Sequence, residues 1–203
     1  MEKLLPRLAV GLDRPAPADP RTLFDVPVDE VRLEIGFGGG EHLVAEAIRY
    51  PRTGFLGCEP FVNGMAKALA AIEARSLGNI RLHLGDAREV IAWLPDGCLA
   101  GIDMLYPDPW PKRRHWKRRL VTDAMLSATA RVLEPRGLFR FATDSADYAS
   151  WTLLRFLRSS AFLWTAERAD DWRQPWPEFA GTRYEAKAKQ EGRPPCYLVF
   201  RRT

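Results

Sequence analysis

Strand-length apolar segments alternate with helix-length ones along most of this chain, and that order restricts the fold more than any other feature. VRLEIG from Val31, TGFLGCE from Thr53, IRLHLGDA from Ile80, LAGIDMLYPD from Leu99 and GLFRFATD from Gly137 read as strands. Helical patterns lie between them: Glu41 to about Tyr50, Phe61–Leu77, Ala87–Leu94, Leu120–Leu133 and Ala146–Leu157. Pro51, the pair Gly78-Asn79 and the run Pro135-Arg136-Gly137 supply stops. Phe162–Ala166 and Cys196–Phe200 are late strands that complete the sheet. A βαβα order requires right-handed crossovers between parallel strands. The expected fold is therefore α/β: a doubly wound, mostly parallel sheet with helices on both faces. Its strand C-terminal ends share one edge, which is where such sheets bind ligands.

Residues 1–28 stand apart. Five prolines (Pro6, Pro15, Pro17, Pro20, Pro27) and no sustained periodicity predict an extended arm, with one domain over 29–203. A length of 203 residues suits one full core. The three cysteines, Cys58, Cys98 and Cys196, form no CxxC pair, and only three histidines are present. A disulfide framework or a metal centre is therefore not expected. No segment approaches the roughly 20 apolar residues of a membrane span, so a cytoplasmic protein is expected.

Acids fall at the predicted strand ends: Glu34, Glu59, Asp86, Asp108 and Asp144. Glu34 adjoins a glycine turn, Gly36-Phe37-Gly38-Gly39-Gly40-Glu41, between a strand and a helix. Glycines there permit positive φ and a close approach of a ligand to the backbone. The spacing is not GxGxxG, since Glu41 occupies the third glycine position, and a pyrophosphate would face Glu34 and Glu41. A cationic ligand such as S-adenosylmethionine, with its sulfonium and ammonium groups, suits this turn better. Glu59 can accept both hydroxyls of a ribose, a device that nicotinamide enzymes share. Asp86 either accepts an adenine amine or caps the following helix.

Pro107-Asp108-Pro109-Trp110-Pro111 is a stiff turn that can fix one carboxylate. It resembles the Asp-Pro-Pro-aromatic turn of adenine N6-methylases, except that the aromatic precedes the second proline. Guanine N7 presents an in-plane lone pair and loses no proton on methylation. An N7 methylase thus needs alignment and acids near developing positive charge more than a general base. Six of the next eight residues are basic: Lys112, Arg113, Arg114, Lys117, Arg118 and Arg119, with His115 and Trp116 between them. The net charge is only +4, so this concentration matters more than the total. Such a tract at the catalytic edge can neutralise phosphates while its rings stack on bases. Thr143-Asp144 closes the fifth strand and is a candidate for holding the base. Thr182, Arg183, Tyr184 and Glu185 lie in a polar segment read as a loop, where a carboxylate could accept from guanine N1–H and N2–H₂.

On LEIGFGGGEHL, LGCEPFVNG, GDA, YPDPWPKRRHWKRRL, FATD and GTRYEAKA, in that order, the chain resembles the bacterial tRNA (guanine-N7)-methyltransferases. The resemblance runs from about Arg32 to Arg201. It implies the class I methyltransferase fold, usually seven strands with the last antiparallel, and methylation of the variable-loop guanine of tRNA. It also implies that Glu34, Glu59, Asp86 and Asp108 contact S-adenosylmethionine beside the turn glycines Gly36 and Gly38, with Asp108 catalytic. Lys112, Asp144, Thr182, Arg183, Tyr184 and Glu185 are implied to meet the substrate. The run Arg114–Arg119, with Arg113 beside it, is implied to touch RNA. Trp116 stands where a polar residue is more usual. A monomer and a homodimer are equally compatible with the sequence. The rival readings are methylation of another RNA or base atom, and a non-catalytic RNA-binding protein, which the carboxylates at the strand ends disfavour. A nicotinamide oxidoreductase would leave the basic tract without a role.

Overall fold

The computed structural model describes residues 4–203 and shows a seven-stranded sheet in the order β3-β2-β1-β4-β5-β7-β6. A short helix α1 (Leu5–Leu8) and a 3-10 turn (Pro20–Leu23) precede β1 (Glu30–Ile35). Then follow α2 (Glu41–Arg49), β2 (Thr53–Cys58), α3 (Val62–Ala74), β3 (Ile80–His83), α4 (Ala87–Trp93) and β4 (Leu99–Leu105). A second 3-10 helix (Arg113–Arg118) leads to α5 (Asp123–Val132), β5 (Leu133–Thr143), α6 (Ala146–Arg158) and β6 (Phe162–Trp164). The chain ends with α7 (Asp170–Arg173), α8 (Arg183–Gln190) and β7 (Cys196–Arg202).

The first five strands are parallel, and β7 runs antiparallel to both β5 and β6. This is the doubly wound, mostly parallel sheet expected from the element order. Strand β2 is buried along its whole length, as a central parallel strand covered on both faces must be. One face packs Val90, Ile91, Met125, Leu126, Tyr148 and Phe156 of α4, α5 and α6 against the strands. The other packs Leu43, Val44, Met65, Leu69 and Ile72 of α2 and α3.

Two elements depart from the sequence reading. Strand β5 begins at Leu133, ahead of Pro135 and Gly137, where a stop was expected. The pairing of β4 with β5 shifts register between Leu99 and Gly101, and Arg136 takes φ +70°, so the strand accommodates the proline at an irregularity. The expected loop at 181–187 is instead the start of α8: Thr182 caps it by accepting from the Glu185 N–H at 3.0 Å.

The proline-rich arm is irregular over most of its described length, yet it is packed down. Leu8, Val10 and Phe24 are buried, and the Val10 N–H donates to the Leu82 carbonyl at 2.9 Å. The arm thereby lies along β3, the outermost strand on that side. Residues 1–3 of the arm fall outside the described residues.

Candidate active site

Beneath the glycine turn, the sheet carries charge where a core would usually be apolar. Asp103 on β4 pairs with Arg32 at 3.2 Å and with Arg140, whose Nη2 donates at 2.8 Å. Glu34 accepts from His42 Nδ1 at 2.8 Å, both side chains being almost fully buried. Burial alone would drive His42 toward neutrality, but the charge and hydrogen bond of Glu34, with Asp103 and Glu46 nearby, carry it up to about 9. The imidazole is therefore a cation at neutral pH and Nδ1 donates to Glu34. The Arg140 guanidinium lies 4.9 Å from the Trp176 ring, and His42 packs on Phe179, so this layer also anchors the segment leading to α8.

Above that layer, at the C-terminal edge of the strands, opens a cavity of about 550 Å³. Its wall includes Gly36, Gly38, Glu59, Phe61, Asn63, Tyr106, Asp108, Trp110, Arg118, Arg183 and Tyr184. Gly36 and Gly38 take φ +72° and +58°, the left-handed region that glycine tolerates. A Cβ added to Gly36 would meet no atom within 4 Å, so bare backbone faces open space at that point. Glu59 is buried and clamps the turn from below. One carboxylate oxygen accepts from Gly38 N–H at 2.7 Å, and the other from Phe61 N–H at 2.9 Å. Gly64 on α3 completes the fit, because a Cβ there would lie 2.2 Å from the Gly38 carbonyl oxygen.

The facing wall is the proline turn after β4. Tyr106 and Trp110 both adopt positive φ, +51° and +43°, and each precedes a proline, which disfavours helical backbone further. Strain of this kind costs on the order of 1–3 kcal/mol per residue and persists only where surrounding contacts impose it. Between the two lies Asp108, exposed and without a hydrogen bond or ion pair among the described residues. Arg118 folds back so that its guanidinium lies 4.6 Å from the Trp110 ring, which brings the basic 3-10 helix to the cavity rim. Lys112, Arg113, Arg114, Lys117 and Arg118 are exposed, and His115 packs edge-on to Trp110. Tyr184 and Arg183 close the third side: a side chain at Gly38 would meet the Tyr184 ring at 3.4 Å.

Several residues picked from sequence lie elsewhere. Glu34 does not line the cavity; its carboxylate sits behind the turn on His42. Asp86 is the N-cap of α4, accepting from Arg88 N–H at 2.9 Å and pairing with the Arg88 guanidinium, which holds its carboxyl below the usual range. Asp144 accepts from Arg193 at 2.7 Å. Glu185 is buried, bonded to the Tyr197 hydroxyl and to Lys189, and Thr182 is spent on the helix cap. Two assignments to RNA are corrected. Arg119 is buried, so its guanidinium is not open to a phosphate; it pairs with Asp147 and donates to the Pro109 carbonyl at 2.9 Å. Trp116 is half-buried against Trp151 on α6, ring centroids 5.4 Å apart, and is no free platform for a base. The sequence reading also missed Phe61, Asn63, Gly64 and Tyr106 as parts of the cavity. The run EPFVNG from Glu59 to Gly64, with a glycine inside a helical pattern, was the available signal of close backbone approach.

Residues 29–198 match the family model described as "Putative methyltransferase". A tRNA (guanine-N(7)-)-methyltransferase of Nitrobacter hamburgensis is 62% identical over 202 residues, covering 100% of this chain and 79% of the relative. Among solved structures, the 16S rRNA methyltransferase KamB superposes with a TM-score of 0.62 at 18% identity, over 87% of this chain and 89% of that one. SMU.1697c from Streptococcus mutans, in complex with SAH, superposes with a TM-score of 0.57 at 11% identity, over 88% and 91%. The two structural likenesses are of fold.

Proposed function

The chain belongs to the tRNA (guanine-N(7)-)-methyltransferase family on a class I methyltransferase fold, and from that premise we propose how its cavity performs the reaction. The donor is S-adenosylmethionine, which supplies a methyl group on a positively charged sulfur. The acceptor is the variable-loop guanine of tRNA. The observation that carries the reading is one cavity bounded by a bare glycine backbone, a buried Glu59, an Asp108 unpaired among the described residues and a cationic helix at its rim.

The residues fit such a donor. Gly36 offers backbone with room beside it, and Glu59 retains lone pairs for ribose hydroxyls after accepting from Gly38 and Phe61. Glu59 and Asp108 give the walls negative charge that complements a cationic ligand. Phe61, Tyr106 and Trp110 supply apolar surface for the rest of it.

Guanine N7 attacks with its own lone pair, so no residue need remove a proton before transfer. What the protein supplies is alignment and charge. Asp108 lies on a turn held in a strained conformation and can stabilise positive charge as it develops on the purine. Lys112, Arg113, Arg114, Lys117 and Arg118 present unburied cations for phosphates next to that carboxylate. Arg183 and Tyr184, at the mouth of the cavity, meet the incoming base. Neither a monomer nor a dimer is required by this arrangement, and no helix in the described residues is long and apolar enough to cross a membrane.

Purified protein incubated with unmodified tRNA and methyl-labelled S-adenosylmethionine should place label in 7-methylguanosine. Label in another nucleoside would overturn the target. No transfer despite intact binding of tRNA and donor would favour a non-catalytic RNA-binding role.

A further inference from the structure

Arg119 was expected to touch RNA, and its surroundings assign it different work. It is the last of the six basic residues, yet the only one of them that is buried. Its guanidinium carbon lies 5.1 Å from the Trp116 ring, 4.9 Å from Tyr148 and 4.8 Å from Trp151. Nη2 pairs with Asp147 on α6, Nε donates to the carbonyl of Pro109 at 2.9 Å, and Nη1 has no hydrogen-bond partner among the described residues. Pro109 directly follows Asp108 and lies between the two positive-φ residues, Tyr106 and Trp110. An uncoerced chain would leave that conformation, so something must hold it. Among the described residues the Pro109 carbonyl has no ladder partner, and the Arg119 Nε–H is the side-chain donor that reaches it.

We propose that Arg119 is a positioning residue for methyl transfer: from an aromatic cage of Trp116 with Tyr148 and Trp151 of α6 it grips the Pro109 carbonyl and so fixes Asp108 at the cavity wall. The proposal rests on the reading of Asp108 as the carboxylate that acts on the reacting base. The cage fixes the guanidinium from three sides, and the ion pair with Asp147 ties it to a helix packed on the sheet.

The test is Arg119→Lys, which keeps a cation among the rings but lacks the fork that reaches both Asp147 and Pro109, measured with Arg119→Met, which keeps the packed stem. Both should bind tRNA within about 2-fold of the parent. Both should lose kcat, by about 100-fold for Met, the scale expected when a reacting group is misplaced by an ångström. Guanidinium chloride at low millimolar concentration should restore part of kcat to Arg119→Met, and equal sodium chloride should not. A general loss of structure would give no such selective rescue. If Arg119→Met does not fold, Arg119→Lys carries the test alone through its split between kcat and tRNA affinity. Unchanged kcat, or a loss confined to tRNA affinity, overturns the proposal. Asp108→Ala measured alongside separates the two layers. A fully active Asp108→Ala enzyme overturns the reading of Asp108 and the proposal with it. An inactive Asp108→Ala beside a fully active Arg119→Lys overturns the proposal alone.

Discussion

The two sides of the cavity are built on opposite terms. The glycine-turn side is finished before any ligand arrives: Glu59 is buried with both oxygens engaged, and Gly64 fits against the Gly38 carbonyl. The basic helix opposite is open, with five exposed cations from Lys112 to Arg118 that form no ion pair among the described residues. A site for a small cofactor gains from walls that need not reorganise. A surface for a large polyanion gains from cations that stay hydrated until phosphates replace water and counterions. Asp108 stands between the two, on a turn stiffened by its own prolines and by Arg119, beside the cations of the rim.

That contrast can be broken in graded steps. The largest effect is expected at the junction: Asp108→Ala should lower kcat by about 10²–10³-fold while tRNA affinity stays near the parent value. A filter-binding assay beside single-turnover kinetics would show whether the two properties separate. Next comes the open side. Replacing Lys117 and Arg118 together by alanine should weaken tRNA binding roughly 10-fold and reduce the slope of log affinity against log salt by about 1–2. An unchanged slope would mean that these cations meet no phosphate. On the finished side, Gly64→Ala forces a Cβ onto the Gly38 carbonyl, and overpacking of this kind costs about 1–3 kcal/mol. The KM for the methyl donor should rise more than kcat falls, and calorimetry should show a lower Tm.

The smallest effect on catalysis is expected from the charged layer beneath the turn, whose readout is stability. His42 is carried up to about 9, above its ordinary 6.5, by Glu34 against the opposing pull of burial. The folded state then binds the extra proton more tightly than the unfolded chain does. The stabilisation is complete below pH 6.5 and is lost as pH rises through 9, a change of roughly 3 kcal/mol. Denaturant titrations between pH 6 and pH 10 should show this decline, and His42→Asn should flatten it. A parent protein equally stable across that range would deny the imidazolium its role.

What the sequence disclosed and what it hid divide along physical lines. The alternation of strands and helices was readable because apolar periodicity is local, and the last antiparallel strand came from the family resemblance. Gly36, Gly38, Glu59 and Asp108 were found because turn chemistry and strand ends leave short-range marks. Arg119 was misread because a cation in a basic run looks solvated until Tyr148 and Trp151, some thirty residues later, close around it. The engagement of Glu34 was hidden for a similar reason, since His42 on the next helix takes up its carboxylate. The missed helix α8 did leave a local sign. Thr182 followed three residues on by Glu185 is the pattern of a capping box, hidden by the low hydropathy of the helix itself.

The proline-rich arm carries a consequence for the molecule in a crowded cell. Strand β3 ends the sheet, and an outermost strand with free backbone groups invites another chain to add itself. The bond from Val10 to Leu82 occupies that edge with the protein's own residues, and buried Leu8, Val10 and Phe24 keep it there. No described residue of the arm lines the cavity; its packing instead covers part of an edge of the sheet where a further chain could pair.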